Sequence, residues 1–126
     1  MRAIDTNVLL RLIVRDHPRQ AAAADAYVAK GAWISHLVLA EATRVLAAAY
    51  GFENARIAAT VEGLLQHESP SVQEPEVVAG ALARFRAGSA PEFADCLMLE
   101  IARKAGHLPL GIFDRRLGRL PDAERV

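Results

Sequence analysis

The chain has a single cysteine, Cys96, only two lysines and no net charge across its 126 residues. One cysteine can form neither an internal disulfide nor a cysteine-based zinc cluster, which is typical of the reducing cytosol. A formal charge of zero argues against a strongly basic nucleic-acid binder. No apolar run reaches the roughly 20 residues of a membrane span, and too few residues precede Asp5 for a signal peptide. These absences predict a cytoplasmic protein without a membrane segment.

The residues that are abundant are alanine, leucine and arginine. Hydrophobic residues make up 52% of the chain, which is enough for one domain over residues 1–126 with a full core. A surface rich in alanine and leucine also favours an apolar patch for a partner or a second copy. The 13 arginines suit bidentate phosphate contacts, although a GC-rich genome produces the same bias.

Short buried runs alternate with longer stretches of helical spacing. The predicted strands comprise one that ends at Asp5, then Ala32–Ser35, Ser69–Val72 and Leu108–Phe113, with an edge strand at Ala123–Val126. The predicted helices comprise one that follows Asp5, then Ala21–Lys30 with Pro18 at its start, Leu37–Tyr50, Glu53–His67, Glu74–Arg86 and Pro91–Ala105. This alternation predicts an α/β fold, with a short parallel sheet of about four to five strands flanked by helices on both faces.

Two aspartates directly follow short apolar strands. Asp5 begins the polar triplet Asp5-Thr6-Asn7, after which apolar residues return with helical spacing, and Asp114 follows the run Leu110–Phe113. Ligands of open α/β sheets bind at the carboxyl ends of the strands. Each aspartate is also explained as the N-cap of the helix or turn that comes after it.

Glu41 is an acid in a helical face that is otherwise apolar. Leu37, Val38 and Val45 lie three or four residues from it, which places them on its side of the helix. A carboxylate there is costly to bury unless a cation or hydrogen bonds compensate. The alternative is a solvated Glu41 at the edge of the face, near Arg44.

Asp95 is the second such acid, in the first turns of the helix Pro91–Ala105. The predicted charged side of this helix consists of Glu92, Glu100, Arg103 and Lys104. The predicted apolar side consists of Phe93, Ala94, Leu97, Met98, Ile101, Ala102 and Ala105. Asp95 falls beside Leu99 and Ala102, and the alternative role for it is to complement the helix dipole. Ser89 and Glu92 have the spacing of a capping box, with Pro91 in the first turn.

The four acids are predicted to share one edge of the sheet, since strand ends and the starts of the following helices meet there. Carboxylates that converge cannot all ionise without a cation. Hard divalent ions such as Mg²⁺ or Mn²⁺ take oxygen ligands of this kind. Such a site commonly serves phosphodiester hydrolysis, in which the metal polarises the phosphate and activates a bound water.

Four segments of the chain, in order and with similar spacing, resemble the PIN domain. They are Asp5-Thr6-Asn7-Val8-Leu9, Glu41, Phe93-Ala94-Asp95 and Phe113-Asp114-Arg115-Arg116-Leu117. More narrowly, the chain resembles the VapC-type toxins of bacterial toxin–antitoxin pairs. The resemblance implies a metal-dependent ribonuclease on a parallel α/β sheet, usually a homodimer. It also implies a small VapB-like antitoxin whose C-terminal segment wraps the toxin and covers the site.

The resemblance also implies roles for individual residues. The acids that hold Mg²⁺ or Mn²⁺ in the family are matched by Asp5, Glu41, Asp95 and Asp114. Thr6 and Asn7 match polar residues that fix the first acid through hydrogen bonds. Glu92 matches an additional acid of many relatives, with helix capping as its alternative. The chain departs from the family at Ile112, where relatives usually have Thr or Ser.

The RNA substrate implied by the resemblance requires cationic contacts. The candidate RNA-binding arginines are Arg11, Arg15, Arg44, Arg115, Arg116 and Arg119. Arg115 and Arg116 adjoin Asp114 and are placed to steady the scissile phosphate, whereas the alternative for each is a solvated surface arginine. The four histidines show no pairing with a nucleophile or a metal spacing, so structural or surface roles are predicted for them.

Three other functions compete with that of a ribonuclease. A PIN fold that binds RNA without cleaving it is favoured by Ile112, which removes a hydroxyl beside Asp114. A receiver-type phosphoacceptor domain has a similar length and sheet class but requires an adjacent acidic pair after its first strand, and Asp5 is single. A haloacid-dehalogenase-type phosphatase requires Asp-x-Asp, and position 7 is Asn.

Overall fold

The computed structural model describes residues 1–126 and contains five short strands and six helices. The strands are β1 (Arg2–Ala3), β2 (Ala32–Ile34), β3 (Ser71–Val72), β4 (Leu110–Ile112) and β5 (Ala123–Arg125). The helices are α1 (Thr6–Val14), α2 (Pro18–Val28), α3 (His36–Tyr50), α4 (Asn54–Gln66), α5 (Pro75–Arg86) and α6 (Phe93–Ala105). The predicted α/β class with parallel strands is confirmed.

The five strands form two sheets, whereas the sequence predicted one. β1, β2 and β3 are parallel neighbours in that order, with Arg2 opposite Ala32 and Ile34 opposite Val72. β4 pairs in parallel with β5, and the backbone of Val126 extends the pairing by donating to Ile112 at 2.8 Å. Strands of two or three residues form few backbone hydrogen bonds. The backbone hydrogen bonds of β4 are formed with the C-terminal segment and not with the first sheet.

Small side chains allow the helices to pack closely around one apolar core. Ala42 of α3 and Ala81 of α5 are completely buried, and so is Leu46. Phe85 and Phe93 meet edge to face, with their ring centroids 5.9 Å apart, a favoured aromatic geometry. This contact joins α5 to the start of α6, and α6 also packs against α3. No helix is both long and apolar enough to cross a lipid bilayer.

The start of α6 differs from the sequence prediction. The helix begins at Phe93, and neither Ser89 nor Glu92 caps it through a side chain. Instead, the backbone N–H of Ser89 donates to Arg84 at 3.1 Å and closes the C-terminal end of α5. The predicted capping box is therefore wrong, because Ser89 belongs to the end of one helix and not to the start of the next.

The faces of α6 also differ from the prediction. Glu100, which was assigned to the charged side, is only 3% exposed, whereas Met98 and Ile101 of the predicted apolar side are exposed. The 100° periodicity assumes one buried face, but α6 packs against both α3 and α5 and buries a wider arc. Glu100 lies within that arc because two arginines, Arg84 and Arg103, compensate its charge.

Candidate functional site

The first predicted acid, Asp5, lies between β1 and α1. Its Oδ1 accepts a hydrogen bond from the backbone N–H of Val8 at 2.9 Å, so Asp5 is the N-cap of α1. The carboxylate is exposed and its second oxygen has no hydrogen-bond partner within the protein. Asn7 was predicted to fix Asp5, but its side chain makes no hydrogen bond within the protein. Capping therefore leaves half of the carboxylate available to a ligand.

Thr6 was predicted to fix Asp5 through a hydrogen bond, but its hydroxyl bonds the second acid instead. Its hydroxyl donates to Glu41 Oε2 at 2.9 Å, which joins the first turn of α1 to the second turn of α3. Glu41 is exposed, and its predicted apolar neighbour Leu37 is 68% exposed. The buried face of α3 is formed instead by Leu39, Ala42 and Leu46. The prediction of an apolar neighbour at Leu37 is therefore wrong, although Val38 and Val45 pack against the core. The hydrogen bond places Glu41 beside Thr6, the residue after Asp5.

Arg44 connects α3 to the start of α6. It lies one turn after Glu41, and its Nε donates to Glu92 Oε2 at 3.1 Å. Glu92 is the last residue before α6, and Asp95 lies in the first turn of that helix. Arg44 thus pairs with a carboxylate of the candidate site, so it is not a free cation for RNA. The sequence placed Arg44 near Glu41 but did not identify Glu92 as its partner.

The structure disfavours the ionisation of Asp95. Burial raises the pKa of Asp95 most, and the negative charge of Glu92 raises it further. Arg44 and a backbone hydrogen bond at Glu92 oppose these effects, and the charge of Asp114 makes the smallest contribution. The burial has a visible source, since Asp95 borders a small apolar cavity that Ile112 also lines. Acids from the start of α6 and the end of β4 are therefore close enough to repel each other.

Asp114 follows β4 after Phe113. Its Oδ1 accepts hydrogen bonds from the backbone N–H groups of Arg116 at 2.8 Å and Leu117 at 3.0 Å. Asp114 thus closes the turn that leads into a short 3₁₀ helix, Leu117–Arg119. As with Asp5, the capping role is present, and it engages only one of the two carboxylate oxygens.

The predicted acids fall into two groups. Glu41 is hydrogen-bonded to Thr6, the residue after Asp5, and Glu92 and Asp114 both act on the pKa of Asp95. No three His, Cys, Asp or Glu side chains lie close enough together to hold a metal ion between them. The type of donor nevertheless suits a hard divalent cation, because the donors are carboxylate oxygens and Asp5 and Asp114 each keep one oxygen without a protein partner. Mg²⁺ commonly binds through one or two carboxylates and keeps several waters.

The candidate RNA-binding arginines differ in their availability. Arg11 donates to Gln20 at 2.6 Å and to Asp16 at 3.2 Å, and Arg15 forms a bidentate pair with Asp25. By contrast, the arginines near Asp114 are exposed and form no ion pair; they are Arg115, Arg116 and Arg119. The segment that carries Asp114 therefore has the free cations nearest to a candidate acid.

Sequence reasoning missed a cluster of charges around Glu100. Arg84 of α5 donates to Glu100 at 2.5 Å and to Asp122 at 2.7 Å, and Arg103 donates to Glu100 at 2.8 Å. The cluster ties the segment before β5 to α5 and α6. Gly80 was the available signal, because a glycine inside a helix costs about 1 kcal/mol relative to alanine. Its missing side chain makes room for Glu100.

The short parallel strands, and the exposed acids that follow β1 and β4, define a small α/β domain with acidic residues at its strand ends. The PIN domain model matches residues 3–123. The chain therefore belongs to the PIN domain family, whose members are generally nucleases and typically use divalent metals. Searches of curated proteins and of solved structures gave no match.

Proposed function

We propose that this PIN domain is an endoribonuclease toxin of the VapC type that cleaves RNA phosphodiester bonds with a metal-activated water. The observation that supports the proposal most strongly is the raised pKa of Asp95, caused first by burial and then by the charge of Glu92, with Arg44 opposing and Asp114 contributing least. A divalent cation would offset the cost of ionising Asp95 beside these two acids.

The four predicted acids have distinct roles in this proposal. Asp5, Glu41, Asp95 and Asp114 would supply the carboxylate oxygens for Mg²⁺ or Mn²⁺, and no more than two of them lie within reach of one ion in this arrangement. When bound, the ion supplies a polarised phosphate and a water of lowered pKa. Thr6 fixes the direction of the Glu41 carboxylate through its hydrogen bond. The free arginines beside Asp114, Arg115 and Arg116, would bind the RNA phosphates.

The toxin assignment requires a partner surface. Leu37, Met98 and Ile101 are exposed and border one groove between α3 and α6. Arg44, which pairs with Glu92, borders the same groove. An antitoxin segment or a second copy of the chain that buries these side chains would lie next to the candidate site. The antitoxin and the homodimer are both part of the proposal.

The decisive experiment compares the purified chain with Asp5→Asn. Asparagine is a good N-cap, so α1 should persist while one metal-binding charge is lost. We expect the parent to cleave single-stranded RNA with Mg²⁺ or Mn²⁺ and to stop when EDTA is added. Asp5→Asn should have the same circular dichroism spectrum and no cleavage, whereas the surface variant Glu62→Gln should cleave normally. Cleavage by Asp5→Asn at the parental rate would refute the site assignment.

A PIN fold that binds RNA without cleaving it is the second candidate. It is favoured by the separation of the acids into two groups and by Ile112, whose side chain lies at the apolar cavity. RNA binding without metal-dependent cleavage by the parent would favour this candidate. Membership of the PIN family leaves the receiver and phosphatase alternatives without support.

A further inference from the structure

The last part of the chain, residues 108–126, forms a small structural unit. It consists of β4, β5 and the 3₁₀ helix between them, and its backbone hydrogen bonds are all internal. The N–H of Leu110, for example, donates to the carbonyl of Asp122 at 2.9 Å, next to the paired strands. This C-terminal unit carries Asp114. The position of one candidate acid therefore depends on how the unit is attached to the helices.

One ion pair is the only polar link between the C-terminal unit and the rest of the domain. The Nη2 of Arg84, on α5, donates to Asp122 Oδ2 at 2.7 Å, and no other hydrogen bond or ion pair crosses this boundary. The Nε of the same guanidinium donates to Glu100 Oε1 at 2.5 Å. Glu100 lies on α6, the helix that also carries Asp95. A single guanidinium therefore bridges the two parts of the chain that carry Asp95 and Asp114.

Apolar contacts also hold the C-terminal unit, but they do not fill the space beneath it. Leu117 is buried in the core, whereas a cavity of about 20 Å³ remains between the unit and α6, where Ile112 and Cys96 are among the lining residues. Apolar burial has no preferred direction. A guanidinium that pairs with two carboxylates, by contrast, fixes the direction of both. The ion pair is therefore the contact that can set the orientation of the unit.

We propose that Arg84 is a positioning residue of the candidate metal site, which holds Asp114 on the side of Asp95 by bridging Asp122 to Glu100. The inference rests on the proposed metal-dependent function, which it deepens by naming the contact that sets the relative position of two of the acids. An ion that engages both Asp95 and Asp114 would stabilise the docked C-terminal unit. By reciprocity, the docked unit would bind that ion more tightly than the undocked one.

The single cysteine of the chain reports whether the C-terminal unit is docked. Cys96 is 2% exposed and lines the cavity between α6 and the unit. Burial raises the pKa of its thiol to about 11, so the thiol is protonated and unreactive at neutral pH. Undocking of the unit would open the cavity to solvent. The rate at which N-ethylmaleimide modifies Cys96 therefore measures how often the unit undocks.

The full chain is labelled with N-ethylmaleimide in EDTA or in Mn²⁺, and the adduct is followed by mass spectrometry. Asp122→Asn preserves volume and should speed the labelling by about tenfold or more, since a hydrogen bond to a charged group contributes that much. Asp122→Glu retains the charge and should restore slow labelling. Mn²⁺ at about ten times its dissociation constant should slow the labelling of the parent and of Asp122→Asn by up to about tenfold.

Glu62→Gln is the matched control, because the pair of Glu62 with Arg86 also joins α5 to another element at 2.7 Å, but that element is α4. It should label at the parental rate. Parental labelling of Asp122→Asn, or labelling that rises with urea as steeply as global unfolding does, would overturn the positioning role. If Mn²⁺ binds and supports RNA cleavage but does not slow the labelling, the positioning role fails and the ribonuclease proposal stands. If the parent neither binds Mn²⁺ nor cleaves RNA, both proposals fail.

Discussion

Asp95 and Glu100 are two acids of the same helix, α6, with opposite surroundings. Glu100 is almost fully buried, and burial alone would raise its pKa, but hydrogen bonds from Arg103 and Arg84 outweigh burial and hold the pKa below its ordinary value. The pKa of Asp95 is raised, first by burial and then by the charge of Glu92, because Arg44 offsets only part of these effects. Burial therefore raises the pKa of both acids, and the strength of the compensating hydrogen bonds and arginines decides whether the pKa ends above or below its ordinary value.

The comparison predicts that two substitutions that preserve volume, Glu100→Gln and Asp95→Asn, change the free energy of unfolding in opposite directions. The effect of Glu100→Gln should be the larger. Glu100→Gln should lower the free energy of unfolding by about 3 kcal/mol, because Arg84 and Arg103 lose a buried partner. Asp95→Asn should raise it in metal-free buffer, since an unfavourable negative charge is removed. Urea denaturation of each purified variant measures both changes.

The control for Glu100→Gln is Glu62→Gln, which breaks the exposed pair of Glu62 with Arg86. It should cost much less than Glu100→Gln, because an exposed ion pair is screened by solvent. If Glu100→Gln and Glu62→Gln have equal effects, the cluster around Glu100 does not stabilise the fold as described.

The second prediction concerns the space beside Glu100. A Cβ at position 80 would lie 2.8 Å from Glu100 Oε2, so Gly80→Ala should destabilise by about 1–3 kcal/mol, as overpacked sites do. A Cβ added to Gly63 of α4 would meet no atom within 4 Å, and Gly63→Ala should stabilise by about 0.5–1 kcal/mol. Thermal unfolding of both variants measures the contrast, and a stabilising Gly80→Ala would contradict it.

The smallest predicted effect is a difference in pH dependence. Because the pKa of Glu100 is lowered in the folded state, its contribution to stability is complete above the ordinary glutamate pKa and is lost as pH falls through the lowered value. The pKa of Asp95 is raised, so the folded state binds the extra proton. Its contribution is most favourable below the ordinary aspartate pKa and declines as pH rises through the raised value.

Asp95→Asn should therefore gain most over the parent near neutral pH and nothing at a pH below the ordinary aspartate pKa. Urea denaturation of both proteins from acid to neutral pH measures this difference. A gain that is constant across the range would show that Asp95 does not titrate abnormally. Repeating the series with Mn²⁺ should reverse the order at neutral pH, since a bound ion stabilises only the protein that holds it.

The sequence predicted the order of strands and helices because local patterns carry that information. Gly51 and Gly106, for example, close α3 and α6 in the left-handed conformation that glycine favours. The separation into two sheets could not be predicted, since strands of two or three residues leave no pairing signal. The exposure of Glu41 and the burial of Glu100 depend on which helices pack together, which periodicity along one helix does not encode.

The positions of the candidate acids were predicted better than their contacts. Asp5 and Asp114 lie after β1 and β4 as expected, and each also serves as the predicted cap. The partners of Arg44 and Arg84 were missed, because both contacts join segments that are distant in the sequence. The choice between capping alone and capping with metal binding is not encoded locally, since a carboxylate has two oxygens and capping uses one.

The hydrogen bond between Thr6 and Glu41 has a consequence for what can approach the beginning of α1. A hydroxyl has one proton, and the 2.9 Å contact commits that of Thr6 to Glu41. Its remaining lone pairs are acceptors only, and the backbone N–H of Val8 in the same turn is already bonded to Asp5 Oδ1. A helix N-terminus ordinarily attracts anions, but here the carboxylates of Asp5 and Glu41 lie beside the first turn. The beginning of α1 therefore offers carboxylate and hydroxyl oxygens that favour cations and proton donors.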